Sequence, residues 1–177
     1  VITAPETPER EGYEFTGWTP EVPEVMPAED QTFEATWNVL QYTVKFVVDG
    51  VAVYEESLDY GTVVTKPADP VKEGYTFAGW DPEFVEGTTV PVGGLTYNAT
   101  WNVNYYTLTF KWNDVVYSTA SVAYGSAITA PEAPEREGYE FTGWTPEVPE
   151  VMPAEDQTFE ATWNVLKYTV KFVVDGV

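Results

Sequence analysis

The sequence predicts a mostly β protein, or a small α+β one, built from tandem modules of about 63 residues that form an elongated rod. Three observations lead to this prediction. The stretch EGYEFTGW at residues 11–18 returns unchanged at 137–144 and as EGYTFAGW at 73–80. Apolar and polar residues alternate between these copies, as in half-buried strands. The 14 prolines and 13 glycines interrupt the chain too often for long helices.

The copies follow one another at a nearly constant interval. Gly12, Gly74 and Gly138 head them and lie 62 and 64 residues apart. A longer period lies on top of this one, because residues 1–51 match 127–177 with three differences at an offset of 126. The sequence therefore predicts an alternating array of two repeat types.

Borders between repeats are predicted where the last strand of one repeat meets the first strand of the next. Both ends of the chain then fall inside a repeat, which indicates a piece of a longer array. The predicted segments are a partial repeat at 1–40, complete repeats at 41–103 and 104–166, and the first strand and turn of another at 167–177.

The first two strands of a repeat are predicted from alternation and from a turn. Residues 42–48 alternate with period two, which is typical of a strand with one buried face. Asp49-Gly50 favours a type I′ hairpin turn, in which both central residues need positive φ. The return strand is predicted at 52–59, and Tyr60-Gly61 ends it.

Prolines shape the rest of the repeat. The proline-rich residues 65–73 predict an extended crossing segment, with a short helical turn left open. A strand is predicted after Gly74, and Gly79 indicates a bulge that redirects Trp80. The last strand is predicted at 95–101.

Aromatic residues are predicted to supply the core, because a module this small buries a limited fraction of its surface. The signature residues expected to build each core are Gly12, Tyr13, Phe15, Trp18, Trp37, Gly74, Tyr75, Phe77, Trp80, Trp101, Gly138, Tyr139, Phe141, Trp144 and Trp163. The joint from Thr100 to Thr107 contains no Gly or Pro, so one strand should run almost directly into the next. Such a joint favours a stiff rod.

Composition excludes several function classes. The net charge of −21 opposes binding to nucleic acid and to anionic membranes. No apolar run approaches the length of about 20 residues that spans a bilayer, so no membrane insertion is expected in this segment. The chain has no cysteine and no histidine, which removes thiolate nucleophiles and the commonest general base.

The remaining chemistry rests on carboxylates and tryptophans. Paired carboxylates could serve a glycosidase, but solvated surface acids are the favoured interpretation, and no catalytic, cofactor-binding or metal-ligating residue is predicted. The adjacent acids Glu29-Asp30 and Glu155-Asp156 leave weak Ca²⁺ binding open. The tryptophans could stack on sugars if exposed, although core packing is favoured.

The spacing of these residues resembles the Listeria–Bacteroides repeat family, also called internalin B-type B repeats. The resemblance rests on YTVKF at 42–46, Tyr60-Gly61, KPADPVKEGYTFAGW at 66–80 and YNATW at 97–101. It implies β-grasp-like (SUMO-like) modules, found in tandem in bacterial cell-surface proteins. The chain departs from the family at 47–50, where VVDG replaces the common Asn-Gly-Gly.

The resemblance and the residues together give an expected function. The chain is expected to be a structural segment of an extracellular bacterial surface protein, acting as a stiff stalk or a fibre-forming adhesin segment. Its expected partners are neighbouring repeats of the same chain and, through lateral self-association, other copies. The alternative is a multivalent array of weak sites for a glycan or host protein.

Overall fold

The computed structural model describes residues 2–174, and this part of the chain is all β, with no helix. The strands are β1 (Tyr13–Thr19), β2 (Glu34–Val39), β3 (Gln41–Val48), β4 (Val51–Asp59), β5 (Tyr75–Asp81), β6 (Leu95–Val103), β7 (Tyr105–Trp112), β8 (Val115–Ala123), β9 (Tyr139–Thr145) and β10 (Gln157–Val165).

The strands form three sheets. β1 pairs with β2 alone, and the two four-stranded sheets have the orders β4-β3-β6-β5 and β8-β7-β10-β9. In each larger sheet the two central strands are parallel, with Val44 opposite Leu95 in one and Leu108 opposite Gln157 in the other. The outer pairs that are described are antiparallel. The sheet order therefore brings the first and last strands of a repeat together at its centre.

The chain forms two compact units. The first takes residues up to Pro70 together with Phe77–Trp101, and the second takes Val71–Thr76 together with residues from Asn102 onward.

The predicted hairpin is confirmed. β3 places Val44 and Phe46 in the core. The turn residues Asp49 and Gly50 both have positive φ, at 48° and 84°. Asn113 and Asp114 do the same in the other complete repeat, at 48° and 60°. A short polar residue tolerates the left-handed region better than a branched one does, which explains the residue types at both turns.

The α+β alternative is wrong for the described residues, and so is the helical turn that the proline-rich loops left open. The crossing segment between β4 and β5 is extended, since Pro67 and Pro70 lack the amide donors that a helix interior needs. Its backbone makes two isolated bridges, from Val63 to Thr89 near its start and from Lys72 to Tyr75 at its end.

The first core surrounds one aromatic ring. Phe46 is fully buried, stacks on Tyr97 at 4.8 Å between ring centroids and meets Trp80 edge-on at 4.9 Å. Val64 and Val90, from the segments that flank β5, complete this core. Side chains from four separate stretches thus meet at Phe46, so the core depends on the whole repeat.

The second core has the same Phe–Trp pair at its centre and different side chains around it. Phe110 meets Trp144 at 4.8 Å and Phe159 at 5.3 Å. Met152, fully buried, packs against the same cluster as Leu108. The two repeat types therefore share one core position for Phe and Trp.

A break in strand register precedes Trp18 in β1 and Trp144 in β9. The register of β1 against β2 shifts between Phe15 and Gly17, and that of β9 against β10 shifts near Phe141. Gly17 and Gly143 lie at φ of 144° and 139°, a region that side chains rarely adopt. The bulge that the sequence predicted at Gly79 has the same backbone, with φ of 134°, and Trp80 beyond it is 7% exposed.

Candidate functional site: the joint between consecutive repeats

The joint, defined here as the single residue between the last strand of one repeat and the first strand of the next, is the feature that recurs along the chain. Leu40 separates β2 from β3, and Asn104 separates β6 from β7. The strands therefore follow each other with no loop between them.

Each joint is fixed by two backbone hydrogen bonds. The N–H of Leu40 donates to the carbonyl of Gly12 at 2.9 Å, and the carbonyl of Leu40 accepts from the N–H of Tyr60 at 2.8 Å. The second joint repeats this: Asn104 N–H donates to the carbonyl of Gly74 at 2.9 Å, and Tyr124 N–H donates to the carbonyl of Asn104 at 2.9 Å. These two bonds use only backbone atoms, so they form with Leu at one joint and with Asn at the other. The Asn104 side chain adds one more bond, because its Oδ1 accepts from the Thr76 hydroxyl at 2.6 Å.

The two glycines that accept hydrogen bonds from the joint residues, Gly12 and Gly74, each lie against a tyrosine ring. A Cβ on Gly12 would fall 2.1 Å from Cγ of Tyr60, and a Cβ on Gly74 would fall 2.1 Å from Cδ1 of Tyr124. No side chain fits there, because real Cβ atoms do not approach other atoms so closely. Both glycines are also buried and have φ near +75°. The tyrosine ring of each pair therefore packs directly on the glycine, and Tyr60 and Tyr124 are called the seated tyrosines.

The third copy shows half of this arrangement. Leu166 N–H donates to the carbonyl of Gly138 at 2.8 Å, as at the other two joints. Gly138 has φ of +78°, but no atom of residues 2–174 lies within 4 Å of an added Cβ. The same glycine therefore keeps its backbone conformation with no tyrosine above it.

Further aromatic contacts extend around each seated tyrosine. Tyr60 meets Tyr13 of the earlier repeat at 6.0 Å and Tyr42 of its own repeat at 6.5 Å, both edge-on. Tyr124 meets Tyr75 edge-on at 5.7 Å. These contacts join aromatic residues of two consecutive repeats, and edge-on pairs contribute about 0.5–1.5 kcal/mol beyond burial.

A basic residue covers the tyrosine that follows each joint glycine. These pairs use three of the chain's eight Lys and Arg residues: Arg10 over Tyr13 at 3.8 Å, Lys72 over Tyr75 at 4.8 Å, and Arg136 over Tyr139 at 3.6 Å. Cations near a ring face are stabilised by its quadrupole. Each of the three glycine-tyrosine pairs therefore has a positive charge beside it.

The other signature residues form one triad per repeat, away from the joint. In each, a Phe lies edge-on between two Trp rings. The triads are Phe15 with Trp18 and Trp37, Phe77 with Trp80 and Trp101, and Phe141 with Trp144 and Trp163, at centroid distances of 5.3–5.6 Å. Trp80 is buried and the other five tryptophans are half-buried.

One acidic residue has a structural partner that sequence reasoning missed. Asp156 accepts a hydrogen bond from the backbone N–H of Thr107 in β7 at 2.6 Å through Oδ1. In the other complete repeat the equivalent residue is Gly94, whose backbone packs directly on Thr43. Aligning the two complete repeats could have found this contact, because Asp156 aligns with Gly94. In both repeats the residue just before the last strand contacts the first strand, through a side chain at Asp156 and through the backbone at Gly94.

The remaining acids form no metal centre within residues 2–174, where no group of three Asp or Glu is placed to hold a metal ion. Glu29 and Asp30 lie exposed in a loop, and Glu155 is exposed beside Asp156. The described part also contains no helix that could cross a lipid bilayer.

A groove of about 540 Å³ lies beside the triad of the repeat at 41–103. Phe77, Trp80 and Phe84 line it, and the ion pair between Lys66 and Asp69, 2.6 Å long, stands at its rim. Trp80 presents little surface to this groove, since it is 7% exposed.

Three bacterial proteins are similar to this chain over part of their own length. A protein of Evansella cellulosilytica named as a Gly-rich membrane protein is 33% identical over 99% of this chain and 23% of its own length. A second protein of that organism, named as a membrane protein, is 32% identical over 97% of this chain and 30% of its own length. Internalin H of Listeria monocytogenes is 32% identical over 59% of this chain and 22% of its own length. The chain thus spans less than a third of each of these relatives.

The family assignment rests on a match along nearly the whole chain. The Listeria-Bacteroides repeat domain matches residues 1–35, 42–101 and 106–162. The matched ranges contain all of the Gly, Tyr, Phe and Trp signature residues except Trp37 and Trp163. The chain therefore belongs to the Listeria-Bacteroides repeat domain family.

Proposed function

We propose that this chain is a structural segment of a bacterial surface protein, in which tandem β-grasp-like repeats form a stiff stalk outside the cell. The observation that carries this proposal is the joint: the seated tyrosine and the two backbone hydrogen bonds recur at both complete joints. A linker of one residue, held by two backbone hydrogen bonds and by a half-buried tyrosine packed on a buried glycine, restricts bending. An array of such joints holds a distal domain at a fixed distance.

The parallel central strands support the β-grasp-like module, and the names of the relatives support the location on a bacterial surface. A hairpin followed by a last strand parallel to the first is the sheet arrangement expected of a β-grasp-like module. Internalin H and the two Evansella proteins are bacterial, and two of the three names refer to membranes. The proposed role is spatial and not enzymatic, and it requires no catalytic residue.

Stiffness at one joint can be measured by a spin-label distance. The chain has no cysteine, so Glu14→Cys and Ala78→Cys, both at exposed strand positions on either side of the Leu40 joint, give unique labelling sites. Pulsed electron spin resonance should give a narrow distance distribution. Removing the seated ring with Tyr60→Ala should broaden it.

The matched control is Tyr124→Ala, which removes the same ring from the next joint and should leave this distance distribution narrow. Circular dichroism should confirm that each variant remains folded. A distribution that is already broad without any substitution would contradict the stalk, since it would mean that consecutive repeats move freely.

The groove beside Trp80 favours a second candidate function, a weak binding array whose affinity grows with the number of repeats. An aromatic wall with a polar rim suits a glycan. Titration of the chain with oligosaccharides, monitored by tryptophan fluorescence, tests it. A saturable change that Phe84→Ala weakens would support the array, and no change at high sugar concentration would exclude this groove as the site.

A further inference from the structure

The strand β8 forms an open edge of its sheet. The sheet order β8-β7-β10-β9 leaves one side of β8 without a neighbouring strand. The exposed residues on this strand include Val115, Val116 and Tyr117, at 68%, 55% and 43% exposure, and Thr119, Ala120 and Ser121. An edge of this kind offers unpaired backbone groups to another strand.

A bulge limits the length of β8 that could pair. The register against β7 shifts between Phe110 and Lys111, so Tyr117 is an extra residue. From Ser118 to Ala123 the register is regular. The segment Ser118–Ala123, STASVA, is named here the open edge.

The open edge lacks the devices that usually protect an edge strand. It contains no charged residue and no proline. The equivalent segment of β4, Tyr54–Asp59, carries three carboxylates, at Glu55, Glu56 and Asp59. Charged residues on an edge strand prevent pairing with other chains. One repeat type is therefore protected and the other is not.

The cross-strand partners change together with the edge. Lys45 on β3 forms an ion pair with Glu55 at 2.8 Å. In the other repeat the opposed residues are Thr109 and Thr119. Two neutral hydroxyl side chains thus replace the ion pair of the first repeat. Because Thr109 replaces the lysine, a carboxylate at position 119 would have no ion-pair partner at position 109.

We propose that the open edge pairs with the open edge of a second copy of this chain, antiparallel about a two-fold axis. Charge selects this partner. The chain carries a net charge of −21, so two copies repel each other over most of their surface. An uncharged strand is a place where two copies can meet without opposing carboxylates. A two-fold contact uses the same segment on both sides, so it needs no second site.

This inference goes beyond the stalk role and does not depend on it, because lateral pairing concerns two chains and joint stiffness concerns one. In an alternating array only every second repeat would carry an open edge. Pairing would then occur at intervals of about two repeats, and many weak contacts would add along the array.

The test is sedimentation equilibrium of the full chain over a wide concentration range. We expect a reversible monomer–dimer equilibrium that strengthens as salt is raised, because salt screens the repulsion between the acidic chains. The variant Thr119→Glu/Ala120→Glu/Ala123→Asp gives β8 the three carboxylates of β4. It should weaken dimerisation by about tenfold or more, since carboxylates from both copies would face each other across the pairing.

The matched control makes the reverse exchange on β4. Glu55→Thr/Glu56→Ala/Asp59→Ala removes its carboxylates and should leave dimerisation as strong or make it stronger. Thermal melting checks that both variants fold. In the dimer, amide hydrogen exchange should slow at residues 118–123.

Three results would overturn the proposal. The unsubstituted chain could remain monomeric at the highest concentration and salt. The β8 variant, if folded, could dimerise as strongly as the unsubstituted chain. Slowed exchange could fall outside residues 118–123, which would place the contact elsewhere.

Discussion

Gly74 lies directly beneath the ring of Tyr124, fifty residues further along the chain, at a distance that leaves no room for a Cβ. Gly12 and Tyr60 repeat the relationship. With the predicted repeat borders, the glycine of each pair belongs to one repeat and the tyrosine to the next. The glycine in EGYxFxGW is therefore a packing requirement between repeats as well as a turn requirement within one.

We predict that Gly74→Ala destabilises the protein by clearly more than Gly138→Ala. Both glycines have φ between +74° and +78°, so both substitutions carry the backbone cost of about 1–2 kcal/mol. Only at Gly74 does the new methyl group collide with a ring. The difference between the two free energies of unfolding, measured by chemical denaturation, isolates that collision.

The double variant Gly74→Ala/Tyr124→Ala checks the cause. If the ring is what the methyl group meets, the two substitutions together should cost less than the sum of their separate costs, with a coupling of about 1–3 kcal/mol. Strictly additive costs would mean that the glycine matters for another reason.

We predict that Phe46→Ala costs about 3–5 kcal/mol, because the substitution empties the centre of a core that has four other rings around it. That loss is comparable to the whole stability of a small domain. Phe172→Ala is the matched control. It lies in the same sequence, YTVKFVV, but the residue is 90% exposed.

Thermal unfolding followed by tryptophan fluorescence measures both variants. Phe172→Ala should change the free energy of unfolding by less than about 0.5 kcal/mol, as surface substitutions do. A similar loss at both positions would contradict the placement of Phe46 at the centre of the core.

We predict that Asp156→Ala destabilises the repeat at 104–166 by about 1–2 kcal/mol, since it removes a charged acceptor from the Thr107 N–H. Asp30→Ala is the control, because the same letters, EDQTFE, surround it but the strand that follows it, β2, pairs with β1 alone, so no strand corresponding to β7 lies beside it. Amide hydrogen exchange at Thr107 should rise in the first variant alone. Unchanged exchange there would contradict the bond.

We predict that the pKa of Tyr54 is raised above the usual value for a tyrosine. Its hydroxyl donates a hydrogen bond to the Glu56 carboxylate, and this bond, followed by desolvation and the charge of Glu56, raises the pKa of Tyr54 above its usual value of about 10. The neutral phenol is favoured in the folded state. The associated stability is therefore complete below pH 10 and is lost as pH rises through the raised pKa.

Spectrophotometric titration follows the formation of tyrosinate as pH rises. Subtracting the titration curve of the Tyr54→Phe variant from that of the unsubstituted chain isolates Tyr54, and the midpoint of the difference curve is its pKa. Glu56→Ala, which introduces the residue found at the equivalent position 120, should move the Tyr54 midpoint down toward the usual value. A midpoint that does not move would remove Glu56 as the cause.

Much of the fold follows from local sequence patterns. Period-two alternation locates β3, and the Asp-Gly and Asn-Asp turns specify the hairpins, since positive φ is a local requirement. The Gly79 bulge was also predictable, because a glycine that interrupts the alternation just before a large aromatic residue is typical of a bulge.

What the sequence could not locate is contact between distant residues. Gly12 and Tyr60-Gly61 both stand out as repeated signatures, but nothing local indicates that they touch. The hydrogen bond from Thr107 to Asp156 spans 49 residues and is missed for the same reason. The helix that the α+β alternative allowed is excluded by prolines, which act locally and are visible in the sequence. The predicted repeat borders stay a prediction.

The backbone hydrogen bonds at Leu40 and Asn104 have a consequence for how the gene can change. Both joints use main-chain atoms, a glycine and a tyrosine that each repeat carries, so either repeat type can follow the other. Recombination between near-identical copies can add or delete whole repeats, and every new junction is assembled from the same parts. A change in the number of repeats would therefore leave the parts of every joint in place.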